Sequence, residues 1–102
     1  MPMTANGLAK LLEELGELSQ ISAKKLAYYH TDSHPDGKGS LNRRLEEEMG
    51  DVLGAIDFVV IQFKLNANFI SLRASNKFRL YEKWHSETGN DGNSFDSNQP
   101  SP

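Results

Sequence analysis

The sequence predicts an all-α protein: a protomer of three main helices that assembles into an oligomeric helix bundle. Apolar residues recur at three- and four-residue steps in three segments, which is typical of amphipathic helices. Clusters of turn-forming residues separate these segments. With 102 residues the chain forms one domain at most, and a domain of this size buries a core with little to spare. We expect residues 1–85 to form the helical domain and residues 86–102 a disordered polar tail.

The first helix is predicted from Thr4 to about His30. Its apolar residues share one face and are Leu8, Leu11, Leu12, Leu15, Leu18, Leu26 and Tyr29. The segment from Thr31 to Ser40 is dense in Gly, Pro, Asp and Ser, so it is predicted to be a loop. Ser40 is a favourable N-cap for a helix that follows directly.

The second helix is predicted from Leu41 to about Asn66. Its second half is apolar nearly all round, which indicates burial on several sides and favours a partner subunit. Gly50 and Gly54 are expected to permit close contact between helices. After a break at Asn66-Ala67-Asn68, a third and more polar helix is predicted from Phe69 to about His85. Its expected anchors are apolar or aromatic, namely Leu72, Phe78, Tyr81 and Trp84.

Composition excludes several classes of function. The chain has no cysteine, so it has neither disulfides nor a thiolate metal site. The net charge of −3 gives no electrostatic footprint for a nucleic-acid polymer. No segment approaches the roughly 20 apolar residues that a membrane span needs. These features predict a soluble, cytoplasmic protein without a membrane partner.

One acidic pattern occurs twice. Glu-Glu-Leu-Gly-Glu-Leu at positions 13–18 is echoed by Glu-Glu-Met-Gly-Asp-Val at positions 47–52. Residues three apart share one face of a helix, so Glu14 pairs with Glu17, and Glu48 pairs with Asp51. If the two helices are antiparallel and present these faces to each other, the four carboxylates converge.

Such acids are more often part of a solvated face with i,i+4 salt bridges. Against that interpretation, Glu17 and Asp51 have no basic residue three or four positions away, and each has two acidic neighbours instead. Like charges at this spacing destabilise a helix by a few tenths of a kcal/mol. Glu14 and Glu48 have Lys10 and Arg44 four residues back, so for these two the salt-bridge interpretation stays open.

Crowded carboxylates without cationic partners are expected to bind a cation or to have raised pKa values. Oxygen ligands favour a hard ion such as Mg²⁺, with Mn²⁺ as an alternative. Four carboxylates suggest more than one ion when a phosphate substrate is bound. The chemistry that suits this arrangement is attack of water on phosphorus.

The double motif resembles the MazG-type all-alpha nucleotide pyrophosphohydrolases, over roughly Leu8 to Trp84. The resemblance implies metal ligands at Glu14, Glu17, Glu48 and Asp51, with Glu13 as a supporting acid of the catalytic set. It also implies a homodimer or homotetramer that hydrolyses a nucleoside triphosphate, or a related nucleotide, between the α and β phosphates.

In that family a Lys-Phe stretch on the third helix meets the phosphates of the nucleotide. Asn76-Lys77-Phe78-Arg79 is similar, which implies substrate-binding roles for Asn76, Lys77 and Arg79. An ordinary solvated face is an equally good interpretation of Lys77 and Arg79. Phe78, Tyr81 and Trp84 are expected to pack in the core or an interface rather than to stack on a base.

Two alternatives remain. One is a non-catalytic helical interaction module, in which the acids are surface groups and the apolar second helix serves a partner. The other is a phosphoribosyl-ATP pyrophosphohydrolase or dUTPase-like relative that uses the same metal chemistry. The sequence does not choose the base or the sugar.

Overall fold

A computed structural model describes residues 6–88 of the chain. These residues form three α-helices and no strand: α1 (Asn6–Ala27), α2 (Leu41–Gln62) and α3 (Ala67–Thr88). The prediction of an all-α fold is confirmed. The predicted first turn at Thr4 and the greater part of the predicted tail, residues 89–102, lie outside the described residues. The chain divides between Leu65 and Asn66 into two compact units, one with α1 and α2 and the other with α3.

Helices α1 and α2 form an antiparallel hairpin. Gly7, at the start of α1, donates its backbone N–H to Gln62 Oε1 at the end of α2, over 3.1 Å. At the opposite end, Lys24 of α1 and Arg44 of α2 both bind Asp36 of the connecting loop. The hairpin therefore places the middle of α1, which carries one acidic motif, beside the first half of α2, which carries the other.

The core of the hairpin is small. The buried apolar side chains are Ile21, Leu41, Val52, Ala55 and Val59. Many other large apolar side chains are exposed, including Leu12 at 71%, Leu53 at 62% and Ile61 at 76%. These residues come from the predicted apolar faces, of which the two-helix unit covers only part. None of the three helices is both long enough and apolar enough to cross a membrane.

Two side chains of the connecting loop cap the N-terminus of α2. Ser40 is the N-cap, as predicted, because its Oγ accepts the backbone N–H of Arg43 at 3.1 Å. Asp32 accepts the hydroxyl of Ser40 and the backbone N–H of Asn42 at 2.7 Å. A carboxylate in this position also complements the positive end of the helix dipole. These bonds, that from Ser40 first, hold the pKa of Asp32 below its usual value.

Helix α2 ends earlier than predicted, through a Schellman motif. The backbone N–H of Leu65 donates to Val60 O at 2.9 Å, and that of Lys64 donates to Ile61 O at 3.3 Å. Lys64 has a left-handed φ of 55°, a conformation that glycine usually supplies. Apolar periodicity continues through Phe63 and Leu65, so the sequence pattern alone overestimated the length of this helix.

Helix α3 begins at Ala67, where Asn66 accepts the backbone N–H of Phe69 at 2.9 Å. It continues through Ser86 and Glu87 to Thr88, three residues beyond the predicted end at about His85. No described side chain of α3 is buried. Of the expected anchors, Leu72, Phe78 and Tyr81 are exposed and Trp84 is half-buried. Within the described chain, three of these four side chains are therefore not core residues.

The close contact between the helices is made by a different glycine from those predicted. A Cβ atom on Gly50 or Gly54 would meet nothing within 4 Å among the described residues, so the expectation for these two is wrong within the hairpin. A Cβ on Gly7 would instead overlap Gln62 Oε1 and lie 3.2 Å from Val59. Gly7 is buried because α1 crosses the end of α2 at this point.

Candidate metal centre

The acidic motifs of α1 and α2 meet in the hairpin. One carboxylate oxygen from each of Glu14, Glu48 and Asp51 lies within 4.8 Å of the other two. A second group with the same spacing consists of Glu13, Glu14 and Glu17. Glu14 belongs to both groups, so all five acids singled out in the sequence form one continuous cluster. We call these five residues the acid cluster.

Most of the acid cluster has no cationic partner. Lys10 pairs with Glu13 at 2.9 Å, on an exposed part of the surface, and not with Glu14. Arg44 pairs with Asp36, and not with Glu48. Among residues 6–88, the salt bridges include none to Glu14, Glu17, Glu48 or Asp51. The salt-bridge interpretation that the sequence left open for Glu14 and Glu48 is therefore not realised.

Both half-buried acids of the cluster have raised pKa values. For Glu14 the main cause is burial, followed by the charges of Glu17 and Asp51, while Lys10 acts in the opposite direction. For Glu48 the main cause is again burial, followed by Glu17 and Asp51. Both effects disfavour the ionised form. The described residues thus bring negative charges together with little compensation from nearby cations.

Glu48 also has an unsatisfied oxygen. Its Oε1 is shielded from solvent and has no hydrogen-bond partner within the described part of the chain. A buried carboxylate oxygen without a donor is costly, and the great majority of buried polar atoms have a partner. A cation at this position would supply the missing interaction. The acid cluster therefore fits a hard divalent ion in ligand type, spacing and charge.

A groove of about 400 Å³ opens beside the cluster, between α1 and α2. Glu17, Glu47 and Glu48 line its acidic end, Lys24 and Arg44 line its basic end, and Gln20 and Ile21 complete it. Sequence reasoning missed Lys24 and treated Arg44 only as a neighbour of Glu48. Lys24 lies seven residues after Glu17, which is two helical turns along the same face, so its position could have been noticed.

Asp36 orders the basic end of this groove. Its carboxylate accepts from Lys24 Nζ at 2.9 Å and from both terminal nitrogens of Arg44 at 3.1 and 3.2 Å. These bonds, that from Lys24 first, hold the pKa of Asp36 well below its usual range. No periodic pattern in the sequence pointed to Asp36, because it lies in the loop.

The predicted substrate-binding residues lie together on α3. Asn76 and Lys77 line a shallow pocket of about 240 Å³ with Arg73 and Leu80. Arg79 donates to Asn76 Oδ1 at 2.7 Å. Lys77 is half-buried, whereas Asn76 and Arg79 are exposed. These three residues belong to the second compact unit.

No protein-family model matches this chain, and no curated protein or solved structure matches it either. The interpretation of the acid cluster therefore depends on its own residues and their geometry.

Proposed function

We propose that the chain is a Mg²⁺-dependent nucleotide pyrophosphohydrolase, which hydrolyses a nucleoside triphosphate or related nucleotide to a monophosphate and pyrophosphate. The observation that carries the proposal is the acid cluster: within the described residues, four of its five carboxylates have no salt bridge, and one of these four has a buried oxygen that lacks a donor. The MazG-type resemblance of the two motifs supports the same function. Mn²⁺ is an alternative ion because it accepts the same oxygen ligands.

In the proposed reaction, Glu14, Glu17, Glu48 and Asp51 hold the divalent ions, and Glu13 supports them from the rim. Bound ions supply charge neutralisation at the phosphoryl oxygens and the leaving group. One carboxylate of the cluster orients a water molecule and takes its proton as the water oxygen bonds to the α-phosphorus. The bond from that phosphorus to the α–β bridging oxygen breaks, and pyrophosphate leaves. Asn76, Lys77 and Arg79 are proposed to contact the phosphates.

We further propose that the protein works in the cytoplasm as a homodimer or homotetramer. The support for self-association is the exposure of apolar side chains on α1 and α2, because contiguous exposed apolar surface marks interaction sites. The same exposure also favours the second candidate, a non-catalytic helical interaction module. In that candidate function the acid cluster consists of surface groups and binds no metal.

The test substitutes Glu17→Gln and Asp51→Asn, which keep shape and remove one charge each. In the absence of metal, both variants should melt higher than the wild type because like-charge repulsion is relieved. Stabilisation by Mg²⁺ should shrink, because it follows from binding to the folded state. Pyrophosphate release from nucleoside triphosphates should fall by at least about 100-fold, since charge neutralisation by a metal is worth several kcal/mol.

Glu46→Gln is the matched control, because Glu46 is exposed and pairs only with Arg43 at 3.2 Å within the described chain. It should change stability by no more than about 0.5 kcal/mol and leave turnover unchanged. Wild-type rates in both Glu17→Gln and Asp51→Asn would place the chemistry elsewhere. If Mg²⁺ and Mn²⁺ leave the melting temperature of the wild type unchanged, the result would favour the interaction module.

A further inference from the structure

The groove beside the acid cluster contains charges of both signs in one cavity. Glu48 belongs to the cluster and also lines the groove, so a ligand held at the cluster extends directly into this space. Lys24 and Arg44 line the other end. A volume of about 400 Å³ lies within the range of small-molecule sites. The groove is therefore positioned to receive the part of a ligand that projects away from the acids.

The two cations at the basic end retain donors for a ligand. Lys24 has three N–H donors and uses one on Asp36, while Arg44 has five and uses two on the same carboxylate. Asp36 can neutralise only one of these two positive charges. The Arg44 side chain is only 18% exposed. Its low exposure restricts the motion of its guanidinium, so less entropy is lost when it contacts a ligand than at an exposed arginine.

We infer that Lys24 and Arg44 bind phosphate oxygens of the substrate, in the groove adjacent to the acid cluster. The inference rests on the proposed function, because it assigns the phosphates that the acid-bound ions do not hold. Both cations belong to the first compact unit, which also contains the acid cluster. Guanidinium and ammonium groups form short, charge-assisted hydrogen bonds with phosphate.

The experiment measures binding of inorganic pyrophosphate to the full chain by calorimetry, with and without Mg²⁺. The variants are Lys24→Gln, Arg44→Gln and Asp36→Asn, and the control is Arg43→Gln, whose exposed side chain pairs only with Glu46 within residues 6–88. All three variants break ion pairs within the same triad and should lower the melting temperature. Lys24→Gln and Arg44→Gln should weaken pyrophosphate binding in Mg²⁺ by about tenfold or more each.

Asp36→Asn provides the decisive comparison. It removes the competing carboxylate and leaves both cations, so its pyrophosphate affinity should stay within about threefold of the wild type or rise. If the triad were only structural, the three variants would behave alike. Equal loss of affinity in all three, or no loss in Lys24→Gln and Arg44→Gln, would overturn the inference.

Failure of this inference and failure of the proposed function give different results. A protein that is stabilised by Mg²⁺ and hydrolyses nucleotides, but binds pyrophosphate equally well in all variants, refutes only the groove assignment. Pyrophosphate binding that persists without Mg²⁺ and still depends on Lys24 and Arg44 supports the groove assignment by itself. If Mg²⁺ does not change the melting temperature, the acid cluster is not a metal centre.

Discussion

At the scale of single residues, charge compensation separates two sets of carboxylates. Asp36 has two cationic partners and a lowered pKa. Glu14 and Glu48 have no salt bridge within residues 6–88, and their pKa values are raised. The first set stabilises the fold when ionised. The second set destabilises the metal-free fold when ionised, so the two sets impose opposite pH dependences on stability.

The directions of these pKa shifts predict how the stability of the metal-free protein depends on pH. Above the ordinary glutamate pKa of 4.5, the folded chain keeps protons on Glu14 and Glu48 that the unfolded chain releases. The free energy of unfolding therefore falls as pH rises from about 4.5 through the folded pKa values. Asp36 contributes stability that is present above its unfolded value of 3.8 and lost below it. Maximum stability should lie in the mildly acidic range.

Thermal unfolding in a chelator, from about pH 4 to about pH 7, measures this profile. Glu48→Gln should flatten the decline, because the variant cannot titrate at this position. Saturating Mg²⁺ should abolish the decline or reverse it, because the metal binds the ionised carboxylates. If stability in the chelator rises steadily to neutral pH, equally in wild type and Glu48→Gln, the ionised carboxylates of the acid cluster do not destabilise the metal-free fold.

At the scale of helices, caps and one close contact define the hairpin. Ser40 and Asp32 begin α2, and the motif around Lys64 ends it. Gly7 allows α1 to approach the end of α2, and its N–H is satisfied by Gln62. Glycine elsewhere in α1 and α2 has no such role within the described chain.

The contrast between Gly7 and Gly16 tests this packing. Gly7→Ala should lower the free energy of unfolding by about 1 kcal/mol, because the new methyl group displaces Gln62 and crowds Val59. Gly16→Ala should raise it by up to about 1 kcal/mol, because a Cβ there meets nothing within 4 Å and alanine favours helix. Urea denaturation measures both. Similar stabilisation by the two substitutions would mean that α1 does not approach α2 closely at Gly7.

At the scale of the whole molecule, uncovered apolar surface is the dominant feature. Among the described side chains, five apolar ones are buried and form the core of the hairpin, while Leu12, Met49 and Leu53 are at least half exposed. A monomer of this kind would be only marginally stable. This balance is the physical reason to expect a second copy of the chain.

Leu12→Glu and Leu53→Glu test self-association. If these positions lie in an interface, sedimentation should shift from an oligomer to a monomer. The melting temperature should fall and should lose the dependence on protein concentration that an oligomeric wild type shows. Ser22→Glu, at an exposed polar position of α1, is the control and should change neither. A wild-type protein that sediments as a stable monomer at micromolar concentration would remove the basis of this proposal.

The sequence by itself determined the helices and the pairing of the acids. Apolar periodicity located all three helices, and Ser40 marked the start of α2, because these features depend on residues close together in the chain. The repeated motif placed Glu14 with Glu17 and Glu48 with Asp51 through helical geometry alone. Helix ends were less predictable, since apolar residues continue beyond Gln62 and the Lys64 turn depends on backbone conformation.

Only the tertiary structure decided which charges compensate one another. Local spacing offered Lys10 to Glu14 and Arg44 to Glu48, but Lys10 binds Glu13 and Arg44 binds Asp36. The loop places Asp36 between the two helices. Arg44 forms two hydrogen bonds with Asp36 and no salt bridge with Glu48 within the described residues. Sequence periodicity does not predict this competition, because it describes one helix at a time and gives no information on contacts between a helix and a loop residue.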